Sequence, residues 1–229
     1  MRSLPENIRE ALGMAVAKQE PANTICLYNF EESNVASDSI SSFVFERTSI
    51  QIHTIVDRIV PAWADGSVDV IIMSYSGDSQ EIDEVFSSAR SRGCRIHCIT
   101  SGGHLADLCR ENGNHLLLVP GGLSNNDATG YEMGILVNLY DAMGVQGIRD
   151  HMEKVLPRIV AYRDSVWDSE DVKKLAIQVK GKIPVIYCTG ELRAVHKRWK
   201  MLINDEICRL AFSGEFPEFN HNELVSWTD

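Results

Sequence analysis

VDVIIMSYSGDSQEIDEV, Val68 to Val85, is an apolar run that breaks at a serine-and-glycine turn and resumes as an amphipathic helix. Val68 to Met73 alternate little and are rich in branched residues, the pattern of a parallel strand covered on both faces. Ile82, Val85, Phe86 and Ala89 fall at i, i+3, i+4 and i+7, a helical stripe that ends at Gly93, a suitable C′ residue. In the turn between them, Asp78 and Glu81 have the spacing of a capping box, and Gly77 permits a tight bend. The amides of a first helical turn favour an anion, and the hydroxyls of Ser74, Ser76 and Ser79 beside them could hold a phosphate without Lys or Arg. On turn chemistry alone, an ordinary strand-to-helix turn with polar caps is the better reading.

The flanking sequence repeats the strand and helix alternation. Ser3 to about Lys18 reads as a helix opened by a Ser3/Glu6 capping box, with Ile8, Ala11, Leu12, Ala15 and Val16 on one face. Strands are expected at Thr24 to Phe30, Ile50 to Ile55, Arg95 to Thr100 and His115 to Val119, with a helix at about Asn34 to Glu46 and a short one after Ser101-Gly102-Gly103. This order predicts a three-layer αβα fold around a doubly wound parallel sheet. Asp127 to Met143 is apolar nearly all round and reads as a buried helix, under the sheet or at a subunit contact.

Ile148 to Val160 is a more regular amphipathic helix, followed by the polar interval Arg163 to Asp171, which places a lobe boundary near residue 162. The lobes are then 1–162, complete, and 163–229, partial. In the second, a short helix through Val172 to Val179 precedes a strand at Ile183 to Cys188 and a long helix at Glu191 to Phe212, with Trp199, Ile207 and Leu210 inside. Gly214 to Asp229 reads as an irregular tail.

The chain of 229 residues carries 22 basic and 32 acidic side chains, a net charge of −10, which disfavours nucleic acid or an anionic membrane as a partner. No apolar run is long enough for a membrane span, and Arg9, Glu10 and Lys18 interrupt any signal peptide. The six cysteines are scattered without a C-x-x-C pair and read as reduced residues of a cytoplasmic protein. No histidine or cysteine spacing points to a metal. His53, His97 and His115 lie in or beside strands and read as structural. His104 reads as a surface histidine at a helix start, and Lys173, Lys174, Lys180 and Lys182 as a solvated helix face.

SYSGDSQEI, followed by ITSGG (Ile99 to Gly103), VPGG (Val119 to Gly122), RWK (Arg198 to Lys200) and PEFNHNELVSW (Pro217 to Trp227), resembles the SIS (sugar isomerase) family, and within it the bifunctional phosphoglucose/phosphomannose isomerases. The resemblance implies aldose-ketose isomerisation of a hexose 6-phosphate without metal or cofactor, in a homodimer whose active site takes residues from both chains. It makes Ser33, Ser74, Ser76, Gly77 and Ser79 phosphate-binding, His221 the ring-opening group with Glu223 as its neighbour, and Asp205 the base that moves a proton between C1 and C2. A non-catalytic module that binds a sugar phosphate, or an isomerase for a different sugar, is the alternative.

The sequence departs from the family pattern at four places. Asp205 stands where the family has Glu, and Asn126 where it has a substrate-binding Arg. The first glycine-rich loop is replaced by a stretch containing Glu31 and Glu32, which would oppose a phosphate if they face the pocket. The sequence also ends at Asp229, short of a functional lysine that the family carries near its C-terminus, so the second lobe is expected to lack one side of its sheet.

Overall fold

The computed structural model of the protein describes residues 3–30 and 33–227. Glu31 and Glu32 lie outside the described residues, and so does any orientation of theirs toward a ligand. The chain divides into two compact units, Met1–Leu156 and Pro157–Asp229.

The first unit opens with helix α1 (Leu4–Leu12), strand β1 (Thr24–Asn29), helix α2 (Ser33–Val44) and strand β2 (Gln51–Ile55). It continues through β3 (Val68–Met73), α3 (Ile82–Ser91), β4 (Arg95–Thr100), α4 (Gly103–Glu111), β5 (His115–Leu118) and α5 (Asn125–Ala142). The five strands form a parallel sheet in the order β2-β1-β3-β4-β5, the doubly wound α/β architecture expected from the sequence. Strand alternation feeds two cores. Ile25, Leu27, Ile71, Met73 and Ile99 face α1, α2 and α5, while Tyr28, Val70, Ile72 and Cys98 face α3 and α4. Every residue of β3 is buried, as its unalternating run requires. Each such Ile or Leu contributes about 1.5–3 kcal/mol by leaving water.

α5 is the buried helix anticipated from its composition, and it packs on α1 and α2. Small residues allow the approach: a Cβ on Gly134 would lie 2.5 Å from Ala11 Cβ and 2.8 Å from Ile8 O. Asn138 of α5 donates to the carbonyls of Ala11 (2.8 Å) and Met14 (3.0 Å), satisfying the open end of α1. That end comes at Leu12, not Lys18. Gly13 stops the helix, and the following segment pairs with the end of α5 through Gln19 N to Ala142 O and Ala22 N to Met143 O. The Ser3 side chain makes no capping bond, so the expected box at α1 does not form.

The expected box at α3 is absent too. Glu81 is the N-cap residue in αR conformation and makes no side-chain cap, its carboxylate lying 3.5 Å from Arg58. The C-terminal expectation holds, with Gly93 at φ +71° and its N–H bonded to Arg90 O. Away from the strand tips, Asp69, Arg95, His97 and His115 form a polar ladder across β3, β4 and β5. Arg95 grips both oxygens of Asp69 at 2.9 and 2.6 Å, and His97 reaches Asp69 through Nε2 (2.9 Å) and His115 through Nδ1 (3.1 Å). The structural reading of these two histidines is borne out.

Helix α6 (Ile148–Val166) spans the division between the units, and α7 (Glu170–Val179) follows it. In the second unit, β6 (Val185–Thr189), α8 (Arg193–Asp205) and β7 (Phe212–Phe216) form a βαβ element whose strands pair in parallel, Cys188 opposite Glu215. α9 (Glu218–Asn222) then begins after Pro217. Two expectations fail here. The helix at 191–212 is shorter, because after Asp205 the chain leaves helical geometry, Cys208 takes φ 52°, and Asn204 Oδ1 accepts Ala211 N at 2.9 Å to start a strand. Among the described residues the tail forms strand and helix where irregular structure was expected, and Trp199, Ile207 and Leu210 are exposed instead of inside. Among the described residues no helix is long and apolar enough to cross a membrane.

Candidate functional site

In the order β2-β1-β3-β4-β5 the chain winds outward in opposite directions from β1 and β3. The crevice at their C-terminal ends is where open α/β sheets bind ligands. The loop from Ser74 to Ser79 leaves β3 at that point, and Ser33 opens α2 after β1.

Ser74 is fully buried; its Oγ accepts the N–H of Gly77 at 3.1 Å and lies 3.4 Å from Ser79 Oγ. It therefore shapes the loop from within. Ser76 and Ser79 are partly exposed, and Ser76 Oγ accepts Asp78 N at 3.1 Å. Gly77 has φ +75°, and Gly103 opposite it has φ +65°. A Cβ on Gly103 would lie 2.3 Å from Ser76 O, so the β3 and β4 loops interlock backbone to backbone.

Asp78, expected to cap α3, caps the neighbouring helix. Its Oδ1 accepts the backbone N–H of His104 at 2.9 Å, and Gly77 O accepts Leu105 N at 2.9 Å, so two amides of the first turn of α4 are satisfied by the β3 loop. His104 itself sits at the rim, its Nε2 2.7 Å from Asp83, which raises the histidine pKa through that hydrogen bond. Tyr75, overlooked in the sequence, fastens a third loop: its hydroxyl donates to Pro120 O (3.1 Å) and accepts Leu123 N (2.8 Å). The next residue, Ser124, caps α5 by accepting Asp127 N at 3.2 Å, and Asn126 lies in that first turn. An aromatic residue inside a serine-rich turn was the available signal for Tyr75.

Ser33 departs from expectation. Its side chain is buried, and its hydroxyl donates to Glu132 Oε1 of α5 at 2.5 Å, with Glu132 itself only 1% exposed. The serine expected to hold phosphate is thus engaged by a buried carboxylate that the sequence reading passed over.

In the second unit Asp205 is the last residue of α8 and His221 lies in α9, both exposed. No hydrogen bond or ion pair links them among the described residues. Because α8 ends at Asp205, an i to i+4 pairing with Arg209 along a helix does not arise. α9 is anchored by the carboxylate of Glu223, which accepts the Tyr187 hydroxyl, and by the Phe219 ring, tilted against that of Tyr187 with centroids 4.4 Å apart. At the C-terminal ends of the strands, Arg193 holds both oxygens of Glu215 at 2.9 Å, and buried His196 approaches Glu215 at 3.3 Å. The hydrogen bond from Arg193 holds the Glu215 carboxyl below its usual pKa against the effect of burial.

Residues 168–229 match the model of the bacterial phospho-glucose isomerase C-terminal SIS domain. The chain is 28% identical to a bifunctional phosphoglucose/phosphomannose isomerase of Caldicellulosiruptor bescii, over 97% of this chain and 69% of that one. It is 30% identical to one from Thermoplasma acidophilum, over 76% of this chain and 53% of that one. The chain thus spans about two thirds of the first relative and about half of the second. Among solved structures, the C-terminal domain of glucosamine-fructose-6-phosphate aminotransferase from Francisella tularensis superposes with a TM-score of 0.76 at 13% identity, covering 98% of this chain and 71% of that one. In sequence the chain is similar to the bifunctional phosphoglucose/phosphomannose isomerases, and over residues 168–229 to their SIS domain.

Proposed function

We propose that the protein isomerises a hexose 6-phosphate of the glucose, mannose or fructose type by proton transfer through an enediol. The observation that carries this reading is the serine loop at the switch point, where the partly exposed Ser76 and Ser79 stand on a backbone fixed by Ser74 and Gly77. The phosphate rests on that loop. His221 moves the proton between the ring oxygen and the C1 hydroxyl that opens the sugar. Asp205 removes the C2 proton of the aldose and returns it to C1, while the proton on O2 passes to O1. The aldose and ketose are isomers, so the reaction needs no redox cofactor, and the proton taken up by Asp205 can exchange with solvent before it is returned.

In this reading the unit of function is a cytoplasmic homodimer with an active site shared between the two copies. A second reading, a module that binds a sugar phosphate without turnover, is favoured by the Ser33–Glu132 pairing and by Asp205 in place of Glu. Incubation with fructose 6-phosphate in D2O separates the two. Label at C1 of the ketose or C2 of the aldose, lost in Asp205→Asn, supports the isomerase; binding without exchange overturns it in favour of the module.

A further inference from the structure

Ser33, which opens α2 after β1, and the loop after β3 follow neighbouring strands of the sheet, and a phosphate at the ends of those strands could be clasped from both. Ser33, at the start of α2, is 1% exposed and donates its single hydroxyl proton to Glu132. A carboxylate is an acceptor only, so the pair has one polarity: while Glu132 is ionised, Ser33 must give its proton inward and has none to give an anion. Ser76 and Ser79, in the β3 loop, are partly exposed.

Resting on the phosphate reading above, we propose that Glu132 is a positioning residue that sets the ligand preference of the pocket. It locks Ser33 out of phosphate recognition, so that the β3 loop alone clasps the anion. The site then binds phosphate esters less tightly than a two-sided clasp would, and its selectivity falls on the sugar. The lock acts through Ser33, and this separates it from a general effect of a buried charge on the fold. Gln at position 132 is nearly isosteric and can donate to Ser33 Oγ through its amide, which frees the serine proton for another acceptor.

The test is a double-mutant cycle on the full chain, titrated calorimetrically with fructose 6-phosphate: the wild type, Ser33→Ala, Glu132→Gln and the double variant. Ser33→Ala alone should change Kd by less than about twofold, because that hydroxyl is already committed. Glu132→Gln should tighten Kd roughly tenfold, and adding Ser33→Ala should return it to the wild-type value. Any isomerase activity should show the same gain in KM with kcat unchanged. A wild-type background in which Ser33→Ala weakens binding tenfold or more overturns the proposal, since Ser33 would then already serve the phosphate. So does a Glu132→Gln variant that binds no tighter, or a gain that survives in the double variant. If Glu132→Gln does not fold, the Ser33→Ala result decides alone. Ser79→Ala is the control for the underlying reading. Unchanged affinity there refutes phosphate binding by the β3 loop and this inference with it, whereas a loss leaves the cycle to report on Glu132.

Discussion

A Cβ on Gly77 would lie 2.1 Å from the carbonyl oxygen of Gly102, closer than any side-chain carbon can stand to a backbone oxygen. Gly77 is also at φ +75°, so a substitution meets both a conformational penalty and a collision with backbone that cannot swing aside. Gly77→Ala should lower stability by more than about 2 kcal/mol, measured by urea unfolding, because it forces the β3 and β4 loops apart. Affinity for fructose 6-phosphate should fall in parallel if those loops frame the site. Wild-type stability in this variant would contradict the interlocked geometry.

The bond from His104 N to Asp78 Oδ1 makes a prediction that the sequence-based capping box does not. Asp78→Ala removes a helix cap supplied by a neighbouring loop and should cost about 1 kcal/mol. Glu81→Gln should be within about 0.5 kcal/mol of wild type, since Glu81 makes no cap and only long surface contacts to Arg58. Thermal melts of the two variants check this. The reverse ranking would restore the box to α3.

These two residues also mark how far the sequence could be read. Local patterns reported the sheet well: the branched run of β3, the Gly93 terminus of α3 and the small residues of α5 all act as their chemistry suggests. Their signals depend on near neighbours in the chain. The spacing of Asp78 and Glu81 is equally local, yet the competition for Asp78 is settled by α4, 26 residues away, whose amides the interlocked loops bring within reach. Glu132 was hidden for the same reason. A Glu in an apolar helix is legible, but its partner Ser33 lies 99 residues earlier. In the second unit the helical period ran on through Ile207 and Leu210, and only the positive φ of Cys208 and the Asn204 bond reveal that the chain turns there into β7.

The Asp69, His97 and His115 ladder predicts acid sensitivity. Burial, and then the neighbouring His97, hold the His115 pKa below its ordinary value. Burial also disfavours charge on Asp69, but hydrogen bonds from His97 and Arg95 outweigh it and leave that carboxyl below its usual range. Both groups have depressed folded-state values, so each contributes stability that is present above its unfolded pKa and is lost as pH falls through the folded one. Melting temperature should therefore decline as pH drops below about 6.5, the unfolded histidine value, and again below about 3.9 as Asp69 is protonated. His104, raised by Asp83, acts in the opposite sense but is half exposed and contributes little. His115→Asn retains a group that can bond His97 Nδ1 and should flatten the first decline. An unaltered profile in that variant would show that another group is responsible.

Asp205 offers the sharpest test of the catalytic assignment. It ends α8 in an exposed position, and its carboxylate stands one methylene short of the Glu in the family motif. A displacement on the order of 1 Å at a proton-transfer group can cost about a hundredfold in rate, and the cost falls on the transition state more than on substrate binding. Asp205→Glu should therefore raise kcat for fructose 6-phosphate isomerisation by about tenfold or more with KM little changed, and Asp205→Asn should abolish turnover while the sugar phosphate still binds. A fall in kcat with Glu would mean that the site has adapted to the shorter side chain. Activity that persists in Asp205→Asn would remove Asp205 from the chemistry.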